Sequence, residues 1–447
     1  MTLSDLDAVS RALEEVDPVP LTGTVIHAAG LVVEAALPRV PVGTCCEIRA
    51  SDGSVVMAEV VGFSGTTARL MPLSDIQGVG EGCAVVPRTA ADRIPVGEGL
   101  LGRVVDAALR PADGGPVPIL RGRALLHAAP PRALERRRVA RTLCLGIRSI
   151  DACLTVGEGQ RLAILSGPGV GKSVLMGMLA RSASADVVVV ALVGERGREV
   201  REFVERDLGA GLERSVVVVA TSDESPLKRL RAAMAATAVA EYFRAKGKRV
   251  LLLMDSLSRV AQAQREIGLA AGEPPTTKGY PPSAFAILPR LVERAGTDAG
   301  EGSITAFYTV LAEGDDQSDP VADAARATLD GHLVLSRKLA EAGHFPAVDI
   351  LASISRVMTD VVDPAHLELA RQVREVLSAY REAADLIEVG AYAAGSNPRV
   401  DRALRCIHGL EAFCRQGPTE RTPLPETLSQ LRRILATPPS PQEKARG

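Results

Sequence analysis

The sequence is poor in aromatic residues. Among its 447 residues there are no tryptophans, five tyrosines and seven phenylalanines. Because single-stranded nucleic acid binds by stacking its bases on aromatic side chains, a nucleic-acid-binding platform is disfavoured. The formal net charge of -2 gives no overall attraction toward nucleic acid or an anionic membrane. No nucleic-acid partner is therefore expected.

The sequence also lacks the patterns of secretion and membrane insertion. Its seven cysteines show no CxxC spacing, which disfavours a disulfide framework or a zinc site. No apolar run approaches the roughly 20 residues that span a bilayer. The N-terminus, "MTLSDLDAVSRALEEVDPVP", carries acidic residues and no continuous apolar segment, unlike a signal peptide. We therefore expect a cytoplasmic protein.

The length predicts two or three domains, because a single core rarely grows beyond roughly 300 residues. Residues 1–20 are predicted to form a short helical segment that "DPVP" ends. Residues 21–90 contain short β-rich runs separated by Gly, Pro and Asp-Gly, which is typical of a small all-β barrel or sandwich. Residues 91–147 are rich in Pro and Arg, and we interpret them as a linker that wraps onto the next domain.

Strands alternate with helices over residues 148–360, which predicts an α/β domain. Six runs have the near-continuous Val and Leu content of parallel strands that are covered on both faces. These runs are "RLAILSG", "DVVVVALVG", "SVVVVATS", "RVLLLMDS", "SITAFYTVL" and "GHLVLSR". Residues 361–436 are predicted to form a helical C-terminal domain, and residues 437–447 a disordered tail.

The first apolar run leads into a candidate phosphate-binding loop, "SGPGVGKS". Its glycines permit a loop whose backbone N–H groups converge on phosphate oxygens at the start of a helix. Lys172 would reach the β- and γ-phosphates of ATP, and the Ser173 hydroxyl would bind Mg²⁺. Ser166 stands where the motif usually has its first glycine, so a chance glycine-rich turn is the alternative. The predicted ATP-binding residues here are Gly167, Pro168, Gly169, Val170, Gly171, Lys172, Ser173 and Val174.

Two acidic residues follow later apolar runs. Asp255 ends "RVLLLMD", as expected of a second Mg²⁺ ligand, although an Asp at a strand end is often a helix cap. Glu195 ends "ALVGE" and would lie at the carboxyl edge of the sheet, where it could activate water. The alternative is that Glu195 only forms an ion pair with a nearby arginine of "GERGREVREF".

Long blocks of the chain resemble the type III export ATPases, the flagellar and injectisome relatives of rotary ATP synthase catalytic subunits. The blocks include "RRRVARTLCLGIRSIDACLTVGEGQRLAILSGPGVGKS", "LLLMDSLSRVAQAQREIGLAAGEPPTTKGYPPSAF" and "TVLAEGDDQSDPVADAARATLDGHLVLSRKLAEAGHFPAVDILASISRVM". The resemblance implies a RecA-like P-loop ATPase core, an N-terminal β-barrel and a C-terminal helical domain. It also implies a homo-hexamer that binds ATP and Mg²⁺ between neighbouring subunits, and the family tolerates a small residue at Ser166.

The resemblance also implies roles for single residues. Glu195 matches the catalytic glutamate, Arg196 the arginine beside it, and Arg356 the arginine finger that enters the neighbour's site. Together with Lys172, these are the predicted catalytic residues. Phe345 falls where the family usually has a tyrosine that packs on adenine, and Tyr392 is a second candidate for that pocket. A core or hinge role is the alternative for either aromatic residue.

The partners implied by the resemblance are a coiled-coil stalk in the ring pore, a negative regulator at the N-terminus, the export gate and chaperone–substrate complexes. The protein would be cytoplasmic and peripherally associated with the export apparatus of the inner membrane. The segments Gly279–Ser283 and Glu313–Pro320 resemble pore-facing loops, although clustered Asp residues in a turn are usually only solvated.

Other functions remain as alternatives. A rotary ATP synthase subunit is disfavoured because "GERGREVREF" and "AQREIGLAAGEPPTTKGYPPS" resemble export-type blocks. A RecA-like nucleic-acid translocase is disfavoured because Phe63 is the only aromatic residue of positions 22–88. A non-catalytic ring subunit is disfavoured because Lys172, Glu195, Asp255 and Arg356 are all present. "AQREIGL" and "LIEVGAY" favour flagellar over virulence export.

Overall fold

The computed structural model describes residues 22–37, 40–88, 92–311 and 319–436. The predicted N-terminal helical segment and C-terminal tail lie outside the described residues, as does most of the acidic turn Glu313–Pro320. All seven cysteines are free thiols. The described helices include none with the length and hydropathy of a membrane span.

Six antiparallel strands close into an N-terminal barrel in the order β1-β2-β5-β4-β3-β6. Apolar residues alternate along the strands because successive side chains point to opposite faces: Val33 and Ala35 of β2 are fully buried, whereas Glu34 between them reaches the surface. The strands are β1 Gly23–Ala29, β2 Val32–Ala36, β3 Cys45–Arg49, β4 Val55–Ser64, β5 Thr67–Pro72 and β6 Ala84–Arg88.

The remaining strands build a nine-stranded central sheet and two small two-stranded sheets. They are β7 Arg93–Val96, β8 Arg103–Val105, β9 Gly122–Leu125, β10 Thr142–Leu143, β11 Val156–Gly157, β12 Arg161–Ser166, β13 Val187–Glu195, β14 Ser215–Thr221, β15 Arg249–Asp255, β16 Gly296–Thr297, β17 Ser303–Leu311, β18 Gly331–Leu335 and β19 Ile354–Ser355.

The central sheet runs in the order β19-β18-β12-β17-β15-β13-β14-β8, with β16 paired to β17. Its six long strands are mutually parallel and correspond to the six apolar runs of the sequence. The short strands β16 and β19 pair antiparallel to β17 and β18. Parallel strands end at one common edge, which brings together residues that are far apart in the sequence.

Helices cover both faces of this sheet. They are α1 Arg148–Cys153, α2 Lys172–Ser182, α3 Gly197–Glu202, α4 Pro226–Ala245, α5 Leu257–Ala271, α6 Pro282–Val292, α7 Pro320–Thr328, α8 Arg337–Glu341, α9 Met358–Val361, α10 Pro364–Glu388, α11 Pro398–Cys414 and α12 Leu424–Leu435.

The two faces of the sheet contribute to separate cores. In β12, Ala163 and Leu165 pack with α4, α5, α6 and α7, whereas Leu162 and Ile164 pack with α1 and α2. The C-terminal helices α10, α11 and α12 extend the second core. Burial of both faces explains why these strands read as continuous apolar runs rather than as alternating patterns.

The segment interpreted as a linker also contributes to the central sheet. β8 pairs in parallel with β14, with Arg103 opposite Val216, and so forms the outer strand. The Arg136 guanidinium donates to the carbonyl of Ala295 at 2.8 Å, which holds the following stretch on the domain. β8 was not predicted because a three-residue strand carries too little periodicity to be recognised.

Arg294 joins this segment to helix α4. It is 2% exposed, and its guanidinium forms two bonds to the Glu241 carboxylate, at 2.9 and 2.6 Å. It also donates to the Leu126 carbonyl at 2.6 Å. A buried charge pair of this kind is costly to break because the remaining partner stays desolvated.

Replacing Arg294 should therefore destabilise the protein. We expect Arg294→Leu to lower the free energy of unfolding by about 3–5 kcal/mol, because Glu241 keeps its charge without a partner. Urea unfolding followed by circular dichroism measures the change. Arg290→Leu, at an exposed position of α6, is the matched control, with an effect within about 0.5 kcal/mol. Equal unfolding midpoints for the two variants would contradict this account.

Candidate active site

The loop between β12 and α2 has the backbone of a phosphate-binding loop. It lies at the carboxyl edge of the parallel strands, where open α/β sheets bind ligands. Gly169 and Gly171 have φ angles of +76° and +87°, a left-handed conformation that favours glycine. A Cβ on Gly169 would meet no other atom within 4 Å, so the loop is open there. The first turn of the 11-residue helix α2 supplies N–H groups that suit an anion.

Lys172, Glu195 and Asp255 converge beside this loop. The Lys172 ammonium donates to Asp255 Oδ1 at 2.7 Å and to Glu195 Oε1 at 3.4 Å. The two carboxylates meet because β13 and β15 are parallel neighbours, with Leu192 opposite Asp255. All three side chains are 15% exposed or less. The structure therefore brings together three residues that the sequence analysis singled out separately.

Thr309 is a member of this cluster that the sequence analysis missed. It lies on β17, between β12 and β15 in the sheet, and its hydroxyl donates to Asp255 Oδ1 at 2.6 Å. Lys172 donates to the same oxygen, so Asp255 Oδ1 accepts two hydrogen bonds. The available signal was a hydroxyl residue near the end of the apolar run "SITAFYTVL".

Burial and neighbouring charges in this cluster raise the pKa values of Glu195 and Lys172. Burial, followed by the Asp255 carboxylate, raises the pKa of Glu195 to about 7, although Lys172 acts in the opposite direction. Burial alone would lower the pKa of Lys172, but Asp255 and Glu195 together outweigh burial, so this pKa lies above its ordinary value. Lys172 therefore stays charged at neutral pH, where Glu195 is poised to accept a proton.

The residues at this edge fit a magnesium ion and a triphosphate. The Asp255 carboxylate and the exposed Ser173 hydroxyl at the start of α2 offer the oxygen ligands that Mg²⁺ prefers. Lys172 and the N–H groups of the loop offer positive charge to phosphate oxygens. Bound Mg²⁺ would neutralise negative charge on the phosphates and help to orient them.

Phe345 lies against the phosphate loop. A Cβ added to Gly171 would come within 3.3 Å of two atoms of the phenyl ring, so the ring packs directly on the loop. Phe345 is nevertheless 42% exposed, which leaves ring surface free for a flat ligand. This position beside the phosphate loop is compatible with stacking on a nucleotide base, and the adenine-packing role of Phe345 stays a prediction.

Tyr392 lies in the loop between α10 and α11. Its hydroxyl lies within hydrogen-bond distance of two acceptors, the Asp401 carboxylate at 2.9 Å and the Asn397 carbonyl at 3.1 Å. Both partners belong to the same loop or to the first turn of α11, so these contacts order the connection between the two helices. The assignment of Tyr392 to the adenine pocket stays a prediction.

Arg356 lies at the other edge of the sheet. Ser355 pairs with Gly331 at the start of β18, whereas Ser166 pairs with Leu335 at its end. Gly331 and Leu335 are four residues apart, which is roughly 13 Å along the strand. The Arg356 side chain is exposed and donates to the Arg326 carbonyl at 3.2 Å. An arginine side chain is too short to span that distance within its own chain, and the arginine-finger role of Arg356 stays a prediction.

Arg196, a predicted catalytic residue, lies at the surface. The Arg196 side chain is 78% exposed and lies 3.5 Å from the Glu199 carboxylate. Glu195 therefore pairs with Lys172 and not with an arginine of its own segment, which removes the alternative raised by the sequence.

The segment Gly279–Ser283 connects α5 to α6, with the Arg265 guanidinium 5.3 Å from the Tyr280 ring. Its pore-facing role stays a prediction.

Comparison with known proteins gives consistent matches along the chain. Residues 25–88 match the β-barrel domain and residues 146–355 the nucleotide-binding domain of the ATP synthase alpha/beta family. Residues 362–433 match the T3SS EscN ATPase C-terminal domain.

Individual relatives cover nearly the whole chain. The flagellum-specific ATP synthase of Pseudomonas aeruginosa is 52% identical over 93% of each chain. The type 3 secretion system ATPase of Sinorhizobium fredii is 48% identical over 95% of this chain and 94% of its own. The chain belongs to the type III export ATPase family.

Solved members of the type III export ATPase family share the fold. The assembled ATPase EscN of the enteropathogenic Escherichia coli type III secretion system is 42% identical, with a TM-score of 0.87 over 93% of this chain and all of that one. The same ATPase in complex with its central stalk EscO has a TM-score of 0.85 at 40% identity. The predicted family and the predicted arrangement of barrel, α/β core and helical C-terminal domain are confirmed.

The raised pKa of Glu195 predicts the pH dependence of ATP hydrolysis. Because the group that activates water must be ionised, kcat/KM for ATP should rise as pH increases through about 7 and then level off. Steady-state kinetics over pH measure this. Glu205→Gln, at a carboxylate that is 62% exposed, is the control and keeps the wild-type profile. A profile without an inflection near neutrality would contradict the role of Glu195.

Proposed function

We propose that this chain hydrolyses ATP within a six-membered ring and thereby drives or assists type III protein export in flagellar assembly. The observation that carries the proposal is the division of the charged residues between two edges of one sheet. Lys172, Glu195 and Asp255 lie at the carboxyl edge, whereas Arg356 lies at the amino edge. One complete site then requires two neighbouring chains, as in a closed ring.

Each residue has a defined task in this proposal. Lys172 and the loop N–H groups bind the triphosphate, while Ser173 and Asp255 hold the Mg²⁺ that accompanies it. Glu195 orients the attacking water and accepts its proton. Arg356 of the neighbouring chain stabilises charge on the transferring phosphoryl group, a contribution of about 10³–10⁵ in rate.

The export context is proposed from the family. Relatives named for the flagellum and for type 3 secretion systems both match over nearly the full chain. The higher identity of the flagellum-specific relative favours flagellar assembly, and virulence secretion is the second candidate. In either setting the ring would act at the inner-membrane export gate and release substrates from their chaperones.

The partners are proposed on the same grounds. A central stalk occupies the assembled EscN relative, and we propose a coiled-coil stalk in the pore of this ring. We further propose that the N-terminal segment binds a negative regulator, and that the helical C-terminal domain receives chaperone–substrate complexes.

Removal of a phosphate-site charge should abolish activity without unfolding the chain. Lys172→Ala and Glu195→Gln should each lower ATP hydrolysis to background, because the first removes the charge that binds phosphate and the second the proton acceptor. Phosphate release measures hydrolysis, and circular dichroism verifies the fold. In the source bacterium, Lys172→Ala should abolish flagellar filaments. Normal filaments with lost virulence secretion would favour the second candidate instead.

The shared site can be tested by mixing two inactive variants. Arg356→Ala should retain ATP binding but lose most turnover, because it removes only the residue delivered to a neighbour. When Arg356→Ala and Glu195→Gln chains are mixed, some interfaces combine an intact Glu195 with an intact Arg356, and hydrolysis should return. Arg381→Ala, at an exposed helical arginine, is the control and should remain active alone. Mixed rings without recovered hydrolysis would refute the shared site.

A further inference from the structure

Phe345 is tied to the C-terminal domain through its backbone. Its ring lies on Gly171 of the phosphate loop, and its carbonyl accepts a hydrogen bond of 2.9 Å from the Gln416 N–H. Gln416 lies just beyond the end of α11, in the loop that leads to α12. A single residue thus contacts both the nucleotide loop and the helical domain.

Both polar atoms of the Gln416 side-chain amide form hydrogen bonds. It is 5% exposed, and its amide nitrogen donates to the carbonyls of Gly146, at 2.7 Å, and Glu420, at 2.8 Å. Its amide oxygen accepts a bond of 2.9 Å from the Arg148 N–H. Three bonds to a planar group fix both its place and its orientation, which in turn fixes the backbone N–H that contacts Phe345.

Arg148 stabilises the same loop through further hydrogen bonds. Only 8% exposed, it is the first residue of α1. Its guanidinium donates to the carbonyls of Phe413, at 2.7 Å, and Arg415, to the Thr422 hydroxyl at 3.2 Å, and to the Glu420 carboxylate. A buried guanidinium is tolerated only when its donors are satisfied, so these bonds make the joint between α1 and the loop rigid.

We propose that Gln416, held by Arg148, is a positioning residue for nucleotide binding. It fixes the backbone of Phe345 so that the ring stays on the phosphate loop with its free surface turned to the base. The inference rests on the proposed ATPase function and adds a specific route from the helical domain to the nucleotide. Because the loop joins α11 to α12, a displacement of these helices changes the position of Phe345, and bound nucleotide in turn restrains the helices.

A double-mutant cycle tests this positioning role. Gln416→Ala removes three side-chain bonds but no group at the phosphate site. We expect KM for ATP to rise about tenfold with kcat changed by less than about twofold, because loss of the ring's position weakens binding rather than chemistry. In a Phe345→Ala background, the same substitution should change KM by less than about twofold, since no ring remains to be positioned.

The control is Gln430→Ala, which removes one hydrogen bond to Glu426 within α12 and should leave KM unchanged. Should Gln416→Ala unfold at the assay temperature, Glu420→Gln replaces it in the double-mutant cycle with Phe345→Ala. The Glu420 side chain is 45% exposed, and its loss of charge should raise KM by about threefold.

Two results would overturn the inference. One is a wild-type KM in Gln416→Ala. The other is a KM increase that is as large without the Phe345 ring as with it. Either result leaves the ATPase itself intact, whereas absence of hydrolysis by the wild-type chain would refute the proposed function as well.

Discussion

The attraction between one buried ammonium and two carboxylates organises the site. In a low-dielectric environment Glu195 and Asp255 repel each other strongly, and Lys172 makes their proximity tolerable. A phosphate that draws Lys172 toward itself leaves both carboxylates without a counter-charge unless a cation enters with it. The cluster is therefore suited to a metal–nucleotide complex rather than to a free nucleotide. It also holds Glu195 at a proton affinity that free glutamate does not have.

The sheet that supports this cluster also separates it from Arg356. Parallel strands gather residues at their carboxyl ends, and an antiparallel addition such as β19 delivers the next residue to the opposite edge. The same architecture thus places the phosphate loop and Arg356 at opposite edges of one molecule. In the proposed mechanism a complete site therefore forms only between neighbouring chains, and a head-to-tail ring is the symmetric arrangement in which every such site is complete.

Much of this arrangement could be predicted from the sequence, and the remainder depends on tertiary structure. The six apolar runs predicted the long strands because burial on both faces leaves a strong local signal. β8 and β19 were missed because strands of three and two residues carry almost none. Lys172 and Asp255 follow from motifs, whereas Arg356 was found only by resemblance. Gln416 has no sequence signature, since its importance arises from the residues that folding places beside it. Thr309 had only the weak signal of a hydroxyl residue near the end of an apolar run, because its contact with Asp255 depends on the pairing of the strands.

The outer strand β8 has a consequence for synthesis of the chain. It leaves the ribosome about 110 residues before its partner β14, a delay of roughly 5–20 s at ordinary elongation rates. During that interval its unpaired backbone is open to contact with other nascent chains. Conversely, a fragment that began at α1 would lack β8, and the backbone edge of the apolar strand β14 would be left unpaired. β8 therefore covers part of the backbone edge of β14, a strand that is translated after it.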